Sequence, residues 1–362
     1  MIKLINERLI KFREAVFKDK KKVDGFLVSN LNNLYYLTGF DGEGLALITP
    51  EEHLLFTDAR YTEQAEKESP KFKIMTDKAG KKNARIDALN KTMEKHKIKK
   101  LTFEGDFLNY NDFKKYEKYF SIELVDGKKA IEKLRIIKDK TEIMKIRKAC
   151  QIITETLKEV MEMIEPGLRE LDIANELAYT MRKKGALGEA FQAIVTSGER
   201  TSLPHGKPSE KKIEEGELIT IDTGANYQKY NSDITRTFIM GKENEKQKEI
   251  YQIVFDAQRT ALESVKPGIK CSELDKIARD IIKDKGYGKY FGHGLGHGVG
   301  LDIHESPRVS PNDTTILEPG MIITIEPGIY LSGIGGVRIE DTVLVTEDSY
   351  EVLTWFPKEM TI

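Results

Sequence analysis

Four acidic residues stand in two pairs whose spacing could do chemistry: Asp222 and Asp233, eleven apart, and Glu326 and Glu340, fourteen apart. Ile219, Ile221 and the apolar and β-branched run from Ile234 to Ile239 read as two strands, a hairpin turning around Tyr227 and Gln228. Opposed residues of an antiparallel pair have numbers with a constant sum. That turn therefore sets Asp222 opposite Asp233, with Cβ atoms roughly 5 Å apart. Alternation sends Ile219 and Ile221 to the other face, toward the core. Downstream, Met321-Ile-Ile-Thr-Ile-Glu326 and Gly336-Val-Arg338-Ile-Glu340-Asp341 flank Gly333, so a second hairpin opposes Glu326 and Glu340. Carboxylates held this closely must share a proton or bind cations. One such pair alone would read as solvated acids on an exposed sheet, but two are a demanding arrangement for a merely structural feature.

Histidines gather around the same stretches. His205 sits in the loop Ser202-Leu-Pro-His205-Gly206, seventeen residues before Asp222, and His293, His297 and His304 follow in Gly-His293-Gly-Leu-Gly-His297-Gly-Val-Gly-Leu-Asp-Ile-His304-Glu305. His293 and His297 have the spacing of a helical metal pair, but five glycines from 292 to 300 argue for an extended or looped segment. The glycine pattern lacks dinucleotide spacing, and no Gly-Lys is followed by Ser or Thr, so no phosphate loop is expected. Oxygen donors with one or two imidazoles suit Mn²⁺, Co²⁺, Zn²⁺ or Fe²⁺ better than Ca²⁺, and four acids suit two ions about 3.5–4 Å apart.

The elements that must hold these residues repeat. Glu-Glu-Gly216 leads through Ile-Thr-Ile to Asp222, and Glu-Pro-Gly320 leads through Ile-Thr-Ile to Glu326. Pro166-Gly167 precedes a helix ending at Lys184-Gly185, and Pro267-Gly268 precedes another ending at Lys285-Gly286, an offset of 101 at both glycines. Helix, Pro-Gly turn, helix and hairpin are thus duplicated, which predicts two halves related by a pseudo-twofold axis. Asp139 and Glu142 form a capping box for the helical stripe Ile143, Ile146, Cys150, Ile153, Leu157, Val160 and Ile164.

Before this region, residues 1–127 read as an α/β domain: a helix from Ile2 to Lys20, strands at Gly25–Ser29, Gly44–Ile48, His53–Thr57, Phe72–Met75 and Lys100–Glu104, and helices between them. The second domain spans residues 128–362. His53 and His96 lie far in sequence from the acids and are expected to be structural or surface residues. Cys150 and Cys271 lack metal-type spacing and read as small buried apolar groups. With 58 basic and 59 acidic residues, composition gives no bias toward nucleic acid or anionic membrane, and the lysine runs Lys18–Lys22 and Lys97–Lys100 read as solvated surface. No apolar run approaches ~18 residues and the amino terminus carries charges, so a cytoplasmic protein without membrane partners is expected.

At these residues the sequence resembles the pita-bread metallopeptidases, and within them the proline-specific branch of prolidase and aminopeptidase P. The motifs that carry the likeness are Asp-Thr-Gly…Ser-Asp-Ile-Thr-Arg-Thr, Gly-His-Gly-Val-Gly-Leu-Asp-Ile-His-Glu, Ile-Glu-Pro-Gly-Ile-Tyr and Val-Arg-Ile-Glu-Asp. The resemblance implies an α/β amino-terminal domain and an α+β pita-bread (creatinase/aminopeptidase) domain. It implies that Asp222, Asp233, His297, Glu326 and Glu340 ligate two divalent ions, with Mn²⁺ the expected metal and Co²⁺, Zn²⁺ or Fe²⁺ as alternatives. Glu326 would also take a proton, with His304 and His205 as further catalytic groups, while His293, Tyr330 and Arg338 would bind or border the substrate. The implied partners are a peptide with proline in the second position and a second copy of the chain in a homodimer.

The function so implied is hydrolysis of the Xaa-Pro bond, as a dipeptidase first and an aminopeptidase on longer peptides second. A catalytically silent binding protein on the same fold is the alternative from another class. A creatinase-like hydrolase would be expected to have lost ligand carboxylates that this chain keeps, and methionine aminopeptidases usually lack the amino-terminal domain.

Overall fold

The structure, a computed structural model, describes residues 2–18, 23–77 and 83–361. It packs as two compact units, Met1–Arg135 and Ile136–Ile362. The first is a six-stranded sheet in the order Lys73–Asp77, His53–Asp58, Gly44–Ile48, Gly25–Val28, Lys100–Phe103, Glu123–Asp126. The three central strands pair antiparallel and the outer pairings are parallel. Ile2–Phe17 forms the first helix, shorter than the periodicity predicts; residues 19–22 of the lysine run lie outside the described residues. The edge strand Glu123–Asp126 stands where the sequence reads as the approach to a polar turn, because its two ends are exposed acids and only Leu124 and Val125 carry an apolar signal. His53 packs against Phe72, and His96 Nε2 stands 3.4 Å from Glu52, both as structural residues.

The second unit shows its duplication in the backbone. Helices Glu170–Lys183 and Cys271–Asp284 are related by an offset of 101 at both ends. Gly167, Gly185, Gly268 and Gly286 all take positive φ. Gly167 N–H donates to the Ile213 carbonyl and Gly268 N–H to the Leu317 carbonyl, so each half opens with the same backbone bridge. The capping box at Asp139 and Glu142 starts the helix Lys140–Met161. Cys150 and Cys271 are fully buried.

In the first half, Leu218–Thr223 pairs antiparallel with Ile234–Ile239 and with Ile194–Ser197. In the second, Gly296–Gly298, Ile322–Ile325 and Asp341–Val345 lie side by side. Ile219 and Ile221 join one apolar cluster with Ile153, Leu157 and Val195, while Leu218 joins another with Val254, Ile325 and Val337. Burying such clusters stabilises a chain by roughly 25 cal/mol per Å² of apolar surface. Here both faces of the Asp222 strand are covered. The carboxylates are held between two apolar cores, whereas the alternation alone distinguishes only a core face from another face.

Candidate metal centre

The first hairpin turns one residue later than its pattern predicts. Asp222 pairs with Thr235, and Tyr227 pairs with Tyr230, so the turn is Gln228 and Lys229, both at positive φ (48° and 72°). A two-residue turn with both residues left-handed matches strand twist but ordinarily carries Asn-Gly. Here side chains compensate: Asn226 bonds Asn231 across the hairpin at 2.7 Å and accepts from Lys229 N–H. Asp222 and Asp233 are therefore diagonal rather than opposed. They still share a face, since the slip changes the partner by two residues. The second hairpin has the expected register: Ile325 pairs with Asp341 and Gly328 with Arg338, which leaves Glu326 and Glu340 facing each other between the two ladders.

Side chains fix the acids one by one. Arg338 Nη2 donates to Asp222 Oδ2 at 2.7 Å and its Nη1 to the Tyr330 hydroxyl at 2.9 Å; that hydroxyl is 3.0 Å from His293 Nε2. Thr235 Oγ1 donates to Glu340 Oε2 at 2.6 Å, and Thr324 Oγ1 to Glu326 Oε1 at 3.1 Å. His297 Nε2 lies 3.2 Å from Glu326 and 3.6 Å from Asp233, while its Nδ1 faces the Gly298 carbonyl. A proton on Nδ1 leaves the Nε2 lone pair for a metal. Gly296 lets this strand approach its neighbour, because a Cβ there would meet the Thr324 carbonyl at 2.0 Å.

Four carboxylates crowd this site, and of them Arg338 bonds Asp222 directly. Burial, then the neighbouring carboxylates, pushes the Asp233 and Glu340 carboxyls well up. Burial also raises Asp222, against the pull of Arg338. Glu326 goes the other way: burial opposes ionisation, but the hydrogen bond and charge of His297 hold it down at about 2. Burial lowers His304 to about 4, with the neighbouring His297 adding to it.

Asp222 Oδ1, Asp233 Oδ1 and Glu340 Oε1 are buried and have no hydrogen-bond partner among the described residues. Ligand atoms of Asp233, His297 and Glu340 all lie within 4.8 Å of one another. Unsatisfied buried oxygens beside an imidazole lone pair fit divalent cations.

The acids and His297 open into a cavity of about 540 Å³, also lined by His205, His293, His304, Tyr330 and Arg338, so every candidate site residue read from the sequence meets there. His304 stacks edge-on against His297 with ring centroids 4.3 Å apart. Three features had no clear sequence signal. Lys207 and Arg308 line the same cavity and bring two cations to it. Fully buried Glu170 accepts from the backbone N–H groups of Ser197 and Ser209, which ties both ends of the loop carrying His205 and Lys207. Thr235 alone was within reach, because it stands two residues after Asp233 and so shares its face.

Residues 144–347 match the metallopeptidase family M24, and residues 8–137 match the creatinase/prolidase N-terminal domain. The chain is a member of metallopeptidase family M24. Its relatives include an Xaa-Pro dipeptidase of Pyrococcus horikoshii, 45% identical over 99% of both chains. An Xaa-Pro dipeptidase structure from Bacillus anthracis superimposes with a TM-score of 0.95 at 42% identity, covering 99% of this chain and 100% of that one. An X-Pro aminopeptidase structure from Thermotoga maritima has a TM-score of 0.87 at 39% identity, covering 94% and 98%. This M24 metallopeptidase thus has the pita-bread fold and a metal-binding architecture in its second unit. Among the described residues, no helix is long and apolar enough to cross a membrane.

Proposed function

We propose that this M24 metallopeptidase hydrolyses Xaa-Pro dipeptides with two divalent ions held by Asp222, Asp233, His297, Glu326 and Glu340. The observation that carries the reading is the buried carboxylate set with three unsatisfied oxygens, opening into a cavity that also holds Lys207 and Arg308. Two divalent cations, when bound, supply hydroxide at neutral pH and polarise the scissile carbonyl. Glu326, a carboxylate lining the cavity beside His297, would accept the proton released by the attacking water. His304 is neutral at pH 7 and can donate an N–H to the developing oxyanion, and His205, which lines the same cavity, would serve the leaving proline. His293, held by Tyr330, and Arg338 border the substrate.

A dipeptide places a free carboxylate beside the proline ring, and Lys207 and Arg308 are cations suited to it. Proline itself lacks the amide N–H that other peptidases engage. Mn²⁺ suits a donor set of carboxylates with one imidazole. A homodimer and a cytoplasmic location complete the reading; sedimentation and cell fractionation test them.

The likeness to the Thermotoga maritima X-Pro aminopeptidase supports a second reading, cleavage of longer peptides. Comparing kcat/KM for Ala-Pro, Ala-Pro-Ala and Met-Ala-Ser separates the two. The dipeptidase reading expects Ala-Pro to lead. A much higher value for Ala-Pro-Ala moves the assignment to an aminopeptidase, preference for Met-Ala-Ser overturns proline specificity, and no cleavage of any peptide with metal present leaves a binding protein.

A further inference from the structure

Arg236 lies on the strand that follows Asp233, yet points to the opposite face from Asp222 and Thr235, pairing with Ile221 on the core side. It is only 2% exposed. A guanidinium buried this completely needs every donor satisfied. Nε donates to the Pro357 carbonyl at 3.2 Å. Nη1 donates to the carbonyls of Thr235 at 2.9 Å and Glu340 at 2.5 Å. Nη2 donates to Asp341 Oδ1 at 2.8 Å and to the Phe356 carbonyl at 2.9 Å.

The consequence falls on Glu340. Its N–H donates to the Thr235 carbonyl, its carbonyl accepts from Arg236, and its Oε2 accepts from Thr235 Oγ1. Only Oε1 is left without a partner. Residues 235 and 236 thus fix backbone and side chain together and leave one oxygen for a cation. Arg236 also joins this point to the carboxy-terminal segment: Asp341 Oδ2 accepts from Lys358 at 2.6 Å, and Ile239 N–H donates to the Met360 carbonyl. None of Arg236, Asp341 or residues 354–360 lines the cavity.

We infer that Arg236 is a positioning residue for Glu340, and that through it the carboxy-terminal segment supports the metal centre from behind. The inference rests on the reading of Glu340 as a metal ligand. Outer partners that orient ligands change metal affinity by about 10- to 100-fold. Arg236→Lys keeps the charge but cannot span all of these acceptors.

The test is calorimetric titration of chelated wild-type and Arg236→Lys protein with Mn²⁺, beside thermal unfolding and Ala-Pro hydrolysis across metal concentration. The expected result is two ions on the wild type and at least one bound about 10-fold more weakly in folded variant, with hydrolysis recovering in part at excess Mn²⁺. A lowered Tm with unchanged affinity for both ions makes Arg236 merely structural and overturns the inference alone. A wild type that binds no ion overturns the ligand reading and the inference with it. Should Arg236→Lys fail to fold, Arg236→Met with Asp341→Asn removes both charges together and carries the same expectation and the same contradiction.

Discussion

Asp233 is the residue on which the electrostatics converge. Buried beside Glu340 and Asp222, its carboxyl is pushed up by burial first and by those neighbours next, and its Oδ1 has no partner among the described residues. Asp233→Asn keeps the shape while removing one crowded charge. Turnover of Ala-Pro is expected to fall by at least about 10²-fold. The metal-free Tm is expected not to fall, because like charges repel in the apo state. Near-normal turnover would make the aspartates a structural pair. At this scale the sequence was informative about groups that do chemistry and silent about those that hold them. Four acids and four histidines announced themselves by type and spacing, and all converge on one cavity. Arg236, Glu170 and Arg308 did not, since an arginine or glutamate reads the same in the sequence whether it is solvated, lines a cavity or is bonded to buried backbone groups.

Elements set the precision of the site. Gly296 leads into the strand that carries His297, and its hydrogen occupies the space where a Cβ would meet the Thr324 carbonyl at 2.0 Å. Thr324 Oγ1 accepts from His297 N–H and donates to Glu326, so it spans two of the candidate ligands. Gly296→Ala should cost about 1–3 kcal/mol by overpacking and should weaken metal binding as the two ligands move apart. Thermal unfolding and a Mn²⁺ titration check it; wild-type values in both would show that the strands yield without moving the ligands. The two hairpins explain what was legible here. The second announces its centre with Gly333 at positive φ, and its register follows the pattern. The first turns on Gln228 and Lys229, residues that carry no turn signal, and its register slipped. Strand alternation survived the slip, which is why the acids were placed on the right face despite the wrong partner.

Over the whole molecule, duplication was readable because the Pro-Gly turns and the Ile-Thr-Ile strands repeat at nearly fixed offsets, and the paired helices and bridges follow them. The short edge strand Glu123–Asp126 was not, since four residues with acidic ends have no period to detect. Stability of the first unit carries its own pH signature. Burial, then the nearby Arg13 charge, lowers His53 to about 4. As pH falls below the ordinary value near 6.5, the unfolded chain takes a proton that the folded one refuses. The stabilisation is thus present above 6.5 and is lost progressively toward about 4. His53→Gln should flatten the fall in Tm between pH 7 and 5.5, and an unchanged slope would contradict the assignment. The central claim, a site where paired acids from two duplicated hairpins hold the ions that cleave an Xaa-Pro bond, is tested most directly by one titration. Mn²⁺ is added stepwise to chelated protein while Ala-Pro hydrolysis is followed. The expected result is no turnover at the start and a rise that levels off near two ions per chain, a stoichiometry set by four carboxylates and one imidazole. Full activity in the chelated, metal-free protein would contradict it.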